Sequence, residues 1–360
     1  MDQLTEFLNY RKLFSKSNLT NYFSPTFNFT DVDSIIENFK KDMFPIQEYS
    51  TVILLSMYAP IFLAGLIGNV LIIISSIREK SLKKSKHFLL VNLACADLAV
   101  TLFCMPASVG TIIYRPWIYG RFLCKFVAFM QGVAVAVSIF SLTAMSVDRY
   151  LSIQHPAQSR KVITAAQAVG MLAAIWLVSL IFMAPLLYIR DLDTLPRFPE
   201  MPEIQFCIEM WPQDRDKHAY GLFLLFVVFL IPGATLTICY GHLGRALCVN
   251  DVQRQSSDSS TRGLFSRKKA ARMLIILVVV FMICWLPYNI ASLMSDLGGD
   301  NILMILFFTL WLGHAHSALN PIMYWVLNRQ FRHRVRGMVK WVQAYSCTST
   351  LTRNGIPEYV

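Results

Sequence analysis

Seven stretches of this sequence are long and apolar enough to cross a lipid bilayer. A helix of roughly 20 apolar residues spans the hydrocarbon core, and because lipid offers the backbone no hydrogen bonds, such runs must form helices. The predicted spans, numbered one to seven, are 51–77, 88–114, 126–147, 162–189, 219–240, 273–295 and 302–328. With 55% apolar and 15% charged residues, the sequence predicts an all-α integral membrane protein, a seven-transmembrane helix bundle, rather than a large soluble protein.

The loops between the spans differ in charge. If the N-terminus is outside, the cytoplasmic segments hold 21 Lys and Arg against 5 acids, and the opposite side holds 12 against 16. Basic residues stay preferentially in the cytoplasm. This predicts a multi-pass plasma membrane protein with an extracellular N-terminus and a cytoplasmic C-terminus. Topology and contact with anionic membrane lipids explain the net charge of +11, and nucleic acid is not a predicted partner.

Several residues outside the spans are predicted to be modified. Asn18 and Asn28 stand in Asn-X-Thr glycosylation sites of the N-terminal tail. Of eight cysteines, only Cys124 and Cys207 lie in segments placed outside, where the oxidising lumen permits a disulfide that would hold the second extracellular loop over the bundle. Cys347 is a candidate for palmitoylation on the inner side, with an unmodified thiol as the alternative.

Short motifs follow one another in a fixed order along the spans. They are Gly68-Asn69-Val70, Leu93 to Asp97-Leu98, Trp117 and Gly120 before Cys124, Asp148-Arg149-Tyr150, Pro156, Trp176 and Pro185, Pro232 and Tyr240, Phe281 to Pro287, and Asn320-Pro321-Ile322-Met323-Tyr324. Any one of them occurs by chance, but the ordered set does not. Over about residues 49–341 the chain resembles the rhodopsin-like (class A) G-protein-coupled receptors, which implies a receptor and not an enzyme.

The resemblance implies four parts. Residues 1–49 are an extracellular, glycosylated and largely disordered tail, and 50–327 are the seven-transmembrane receptor domain. Residues 328–342 are predicted to form an amphipathic cytoplasmic helix on the membrane surface, because Phe331, Val335 and Met338 recur at helical spacing among arginines. Residues 343–360 are a cytoplasmic tail.

Span two carries an acid at mid-membrane. Asp97 is costly in lipid and must face the bundle interior. The resemblance implies that it holds a sodium ion, the one possible cofactor, in the inactive state. The predicted polar core consists of Asn69, Asp97, Ser138, His316, Ser317 and Asn320. His316 stands where relatives often carry Asn, which leaves sodium binding open; the alternative is a carboxylate that only accepts hydrogen bonds from Asn69 and Asn320.

The activation switch is predicted from two prolines and their neighbours. Pro287 and Pro321 each remove a backbone hydrogen bond in mid-helix, so movement can concentrate there. The resemblance implies that Trp285 is a rotamer switch, that Phe281 packs below it, and that Tyr324 completes the switch as span six moves. Ordinary core packing is the alternative for Trp285 and Phe281.

The cytoplasmic end is predicted to bind a heterotrimeric G protein. Arg149 can pair with Asp148 or swing to a partner's carbonyl groups, which makes a two-state element. The predicted coupling residues are Asp148, Arg149, Tyr150, Pro156, Ala157 and Tyr240. Ser and Thr clusters at 256–261 and 348–352 are candidate sites for receptor kinases and then arrestin, and the final Glu358-Tyr359-Val360 is a candidate for a PDZ protein.

The ligand class follows from two positions and one loop. Gln131 stands where amine receptors place Asp, and His314 where opsins place the retinal Lys, which argues against an amine and excludes photoreception. Gln131 and the stretch from Cys207 to Trp211 are similar to the neuropeptide receptor group. The loop 190–217 holds seven acids against four bases, which would attract a basic ligand. The predicted ligand is an extracellular peptide with a cationic end, contacting Gln131, Glu209, Tyr288, Asn289, Asp296, Leu310 and His314.

Three alternatives stay open from the sequence alone. A receptor of the same class with a non-peptide ligand, or a constitutively active one, shares every motif above. A transporter would show internal repeats with interrupted helices, and the sequence shows none. An intramembrane enzyme would need a nucleophile with a base or a metal cluster, and Asp97 with two histidines is too little.

Overall fold

The computed structural model of the protein describes residues 45, 48–78, 85–154, 165–194, 204–239, 241, 258–297, 303–338 and 340. Within these residues, seven helices are long and apolar enough to cross a membrane, as predicted. These spans are Tyr49–Ile77, Phe88–Ile113, Gly120–Asp148, Ala166–Ile189, Asp214–Cys239, Arg272–Asp296 and Leu303–Leu327. The helix of span three continues to Gln154, and that of span six begins at Asp258.

Spans three and five begin earlier than the sequence predicted. Span three starts at Gly120 instead of residue 126, and span five at Asp214 instead of residue 219. The prediction required a stretch without charges and so stopped short of Arg121, Lys125 and Lys217. Charged side chains are tolerated in the first turns of a span because they reach the polar interface.

Spans two and five each contain a wider helical turn. In span two, α-helix Ser85–Ala99 is followed by a π turn at Val100–Cys104 and by α-helix Met105–Ile113. In span five, α-helix Asp214–Leu224 is followed by a π turn at Leu225–Leu230. Such turns insert an extra residue into a helix and rotate the remainder of that helix, often near functional sites. The helical period of the sequence gave no sign of either one.

Span three lies at the centre of the bundle, in contact with spans two, four and six, while span seven contacts spans one, two and six. Val133, Val137 and Leu142 of span three are completely buried together with Phe281 of span six. Large apolar side chains elsewhere on the spans, such as Ile67, are exposed. Apolar groups on the outer surface of the helices are expected where lipid is the solvent.

A short hairpin covers one end of the bundle. Strand β1, Arg190–Thr194, pairs antiparallel with β2, Gln205–Glu209. The predicted disulfide is present and joins Cys124 at the start of span three to Cys207 in β2. The hairpin is thereby fixed over the helices, and this end is called the disulfide end below.

A further helix, 329–338, follows span seven. Its buried residues Phe331 and Val335 pack with Ile72, Leu90 and Ala94 of spans one and two. Asn328 begins it, since the Oδ1 atom of Asn328 accepts hydrogen bonds from the backbone N–H groups of residues 330 and 331. The predicted helix after span seven is therefore confirmed.

Candidate ligand cavity and polar core

A cavity of about 440 Å³ opens among the helices beneath the hairpin. Its volume lies in the range of small-molecule and cofactor sites. Span two, spans three to seven and the hairpin all contribute to its walls, which include Val127, Tyr220, Leu224 and Phe307. The cavity is mostly apolar, with a few polar groups near the hairpin.

Six of the seven predicted ligand contacts line this cavity: Gln131, Glu209, Tyr288, Asn289, Asp296 and Leu310. The seventh, His314, is completely buried and is not among the lining residues. It lies one layer deeper, because its Nε2 atom is 3.2 Å from Oε1 of Gln131. Gln131 and Trp285 both line the cavity and both contact His314, so a ligand would affect His314 through these side chains.

The two acids of the cavity are already paired within the chain. Arg190 donates to Oε1 of Glu209 at 2.8 Å, across the first register position of the hairpin. Lys217 lies 2.6 Å from Oδ1 of Asp296 and thereby joins the start of span five to the end of span six. All four side chains line the cavity, so these acids and bases balance, in contrast to the excess of acids in the whole loop.

Local interactions favour the ionised form of two acids of the hairpin, Glu209 and Asp191. Burial favours the neutral form of Glu209, but Arg190, the indole N–H of Trp211 and Lys217 together hold the pKa of this carboxyl below its usual range. Near the disulfide, the pKa of Asp191 is lowered by the backbone N–H of Leu192 and by Arg121 and Lys125. The hairpin is therefore held to spans three and five by charge as well as by the disulfide.

A short relay of hydrogen bonds forms the layer beneath the cavity. Tyr58 of span one lies 3.1 Å from Nδ1 of His314, whose Nε2 faces the carbonyl oxygen of Gln131. This geometry assigns the proton to Nε2, so that Tyr58 donates to His314 and His314 donates to Gln131. The relay connects spans one, three and seven.

Trp285 separates this layer from the polar core. Its ring packs edge-on against His314, with centroids 6.3 Å apart, and lies directly over Gly313. A Cβ atom at position 313 would be only 2.8 Å from the Trp285 ring. Glycine is required there because the indole fills the space that a side chain would need.

The polar core surrounds Asp97. Its Oδ2 atom accepts a hydrogen bond from Nδ2 of Asn320 at 2.8 Å, and Ser317 also interacts with the carboxylate. Its Oδ1 atom lies 3.8 Å from Nδ1 of His316. Ser138 is buried within the same bundle. The side chains of Asp97, His316, Ser317 and Asn320 are thus brought together as the sequence predicted.

Asn69 contacts the backbone of span seven. Its Nδ2 atom donates to the carbonyl oxygens of Gly65 and Ser317, both at 2.9 Å. Pro321 has no N–H, so the Ser317 carbonyl lacks its usual helical donor, and Asn69 replaces that donor. Gly68 lets the two helices approach, because a Cβ atom there would lie 2.6 Å from the Pro321 ring.

The predicted aromatic switch residues lie in spans six and seven and belong to two packed clusters. Phe281 is completely buried and contacts the ring of His316 edge-on, with centroids 5.0 Å apart. Pro287 lies inside the helix of span six. Tyr324 packs edge-on against Phe331 of the helix after span seven, at 5.0 Å. Phe281 and Trp285 thus belong to the main core of the bundle, whereas Tyr324 packs with the helix after span seven.

The predicted coupling residues are only partly described. Asp148, Arg149 and Tyr150 lie in the last turns of the span-three helix, and the side chain of Arg149 is outside the described residues. The positions outside them are Pro156, Ala157 and Tyr240, the glycosylation sites Asn18 and Asn28, Cys347, residues 256, 257 and 348–352 of the Ser and Thr clusters, and the chain end. Residues 259–261 lie in the first turn of the helix Asp258–Asp296.

Sequence reasoning missed four residues of this site. Arg190, Trp211 and Lys217 hold the cavity acids, and Tyr58 extends the relay to span one. The alternating pattern from residue 205 to 209 was the one available signal, since a hairpin prediction would have placed Arg190 opposite Glu209. The other contacts depend on how distant helices pack.

Comparison with known proteins decides the family. The family described as 7 transmembrane receptor (rhodopsin family) matches residues 68–324 of this chain. The chain belongs to this family. It is therefore a G-protein-coupled receptor and a multi-pass membrane protein, as the ordered motifs predicted.

Named relatives of the receptor are peptide receptors. A QRFP-like peptide receptor of Branchiostoma floridae is 30% identical over 79% of this chain and 77% of its own length. Galanin receptor type 1 of Homo sapiens is 32% identical over 79% of this chain and 81% of its own length. Cholecystokinin receptor type A of Cavia porcellus is 28% identical over 80% of each chain. The predicted resemblance to the neuropeptide receptor group is confirmed.

Proposed function

We propose that this receptor binds a peptide, that one end of the peptide enters the cavity beneath the hairpin, and that this end carries a cationic group. The observation that supports the proposal is the cavity itself, which is lined mostly by apolar and aromatic side chains and by two acids, Glu209 and Asp296, that are each paired with a base. The relatives named above are similar to this chain and are peptide receptors.

The internal bases set how such a peptide would bind. Lys217 is paired with Asp296, and Arg190 is paired with Glu209. A cationic group of the ligand must therefore displace one of these basic side chains from its acid. An arginine of the ligand has the advantage of two parallel hydrogen bonds to a carboxylate, which the single ammonium of Lys217 cannot make. We propose that the Lys217–Asp296 pair is the one that exchanges, because Glu209 is held by the indole N–H of Trp211 as well as by Arg190.

A peptide screen with matched variants tests this function. Amidated peptides containing arginine, and the same peptides with glutamine in its place, are applied to cells that express the receptor, with G-protein dissociation as the readout. An arginine-containing peptide should activate the receptor, and its glutamine form should be weaker by about 30-fold, since a hydrogen bond to a charged group contributes about 2 kcal/mol.

Substitutions locate the contact. In the Asp296→Asn receptor the arginine and glutamine forms should become equal. Asp214 is an exposed acid in the first turn of the helix that carries Lys217, and Asp214→Asn should leave the difference intact. Lys217→Gln should increase the potency of the arginine form because the competing ammonium is gone. Activation by amines or lipids and by no peptide would contradict the proposal.

We further propose that the disulfide end faces the outside of the plasma membrane and that the opposite end binds the α subunit of a heterotrimeric G protein. The charge bias of the loops supports this orientation. An epitope at the N-terminus should then be stained on intact cells, and one at the C-terminus only after permeabilisation. Receptor kinases, arrestin and a PDZ protein are proposed partners of the C-terminal side on sequence patterns alone.

A further inference from the structure

An imidazole ring lies beside the carboxylate of the polar core. The sodium ion implied by the family is a hard cation, and such ions prefer oxygen ligands. One oxygen of Asp97 is taken by the amide of Asn320 at 2.8 Å. The other faces a nitrogen of His316 at 3.8 Å. The open side of the carboxylate is therefore directed at a nitrogen rather than at a cavity lined with oxygen.

The neighbours of His316 favour one tautomer and hold the ring in position. A lone pair on Nδ1 would repel the carboxylate, so the proton belongs on Nδ1. Phe281 packs edge-on against the ring with an interplanar angle of 89°. The side chains of His316 and Asp97 are 2% and 1% exposed. The ring is enclosed on the side away from the acid and cannot swing out without moving Phe281.

We infer that the His316 imidazole takes the place of sodium in this receptor, and that its polar core does not bind the ion. An N–H directed at Oδ1 of Asp97 presents a positive hydrogen where a cation would bind, and the ring fills the volume that the cation and its waters would need. With the His316 ring beside Asp97, the polar core therefore does not fit the sodium site that the family resemblance implies.

In this arrangement the side chain of His316 takes the position beside Asp97 that an ion would otherwise take. Sodium binding stabilises one state by RT ln(1 + c/Kd), where c is the sodium concentration, so its contribution depends on the salt outside the cell, whereas a side chain is always present. The inactive packing around Asp97 is then independent of extracellular sodium. Asparagine at this position, as in many relatives, offers an oxygen and a smaller side chain.

Thermal unfolding of the purified full-length receptor tests the inference. Wild type, His316→Asn and His316→Asn with Asp97→Asn are each melted in sodium chloride and in choline chloride of equal ionic strength. Wild type should melt at the same temperature in both salts. His316→Asn should gain about 3 °C in sodium at roughly ten times the dissociation constant, and the added Asp97→Asn should abolish that gain.

Each result decides the question. Stabilisation of the wild type by sodium, lost in Asp97→Asn alone, would overturn the inference. An absence of any sodium effect in both wild type and His316→Asn would overturn the assignment to His316. If His316→Asn does not fold, His316→Gln supplies the oxygen instead, and the wild-type measurement alone remains capable of refuting the idea.

Discussion

The contact between Gly313 and Trp285 supports a quantitative prediction. A Cβ atom at residue 313 would lie 2.8, 2.9 and 3.1 Å from three atoms of the indole ring. Carbon atoms prefer separations of about 3.5–4.0 Å, so the ring would have to move by roughly 0.7 Å. Trp285 is 3% exposed and packs edge-on against Tyr288 and His314, so the movement displaces these side chains. Such overpacking costs about 1–3 kcal/mol.

The matched control is Gly170→Ala. Gly170 also lies in a helix, Ala165–Met183, but a Cβ atom there would meet nothing within 4 Å. Both substitutions gain the same helix propensity, up to about 1 kcal/mol, so the difference between them isolates the contact with Trp285. We expect Gly313→Ala to melt about 2–8 °C below Gly170→Ala, since each kcal/mol shifts the melting temperature by a few degrees.

The assay is thermal unfolding of both purified variants in the same detergent and salt. If Gly313→Ala melts within a degree of Gly170→Ala, the indole is not held against span seven, and the account of the layer beneath the cavity is wrong. If the melting temperatures of both variants fall equally below that of the wild type, the loss of stability comes from the helices in general and not from the contact with Trp285.

Three further predictions concern buried polar contacts and the loop. Asn69→Ala should lower the free energy of unfolding by about 1–3 kcal/mol, because the Ser317 carbonyl loses its substitute donor; thermal melting checks this, and Asn69→Asp, which offers no N–H, should not restore stability. Trp176→Phe should cost about 1–2 kcal/mol through the lost 2.7 Å hydrogen bond to Asn92, and the loss should largely disappear when it is measured in an Asn92→Ala background. Because the pKa of Glu209 is lowered from its ordinary value of 4.5, its pairing should stabilise the hairpin above that value and be lost as the pH falls through the lower value of the folded state. The Glu209→Gln variant should therefore lack the part of the decline in melting temperature that the wild type shows as the pH falls below about 4.5; an identical decline in both would assign it to another acid.

The sequence predicted the number and order of the spans because a long apolar run has one stable form in lipid. It predicted their ends less well, since Arg121 and Lys125 lie within the first turns of span three. The disulfide between Cys124 and Cys207 was predictable because the topology placed only these two cysteines outside. The pairing of Lys217 with Asp296 did not, because residues 79 positions apart in the chain meet only after spans five and six have packed.

Site residues were predictable where a motif carried them. Asp97 and Asn320 were placed together correctly, and their hydrogen bond is present. The position of His314 below the cavity wall was not predictable. The sequence shows which face of a helix a residue occupies, but not how far a neighbouring side chain such as Gln131 extends below the cavity. The tilt and packing of whole helices decide that.

The π turn at Val100–Cys104 changes what a single deletion would do. Each residue of an α-helix turns the chain by about 100°, so removal of one residue from this turn would restore a regular helix and rotate everything after it. Ala107, now buried beside Trp117 and Cys124, would then face another direction. Deletion of one residue here would therefore remove the contact of Ala107 with Trp117 and Cys124. The number of spans and all of the sequence motifs would stay the same.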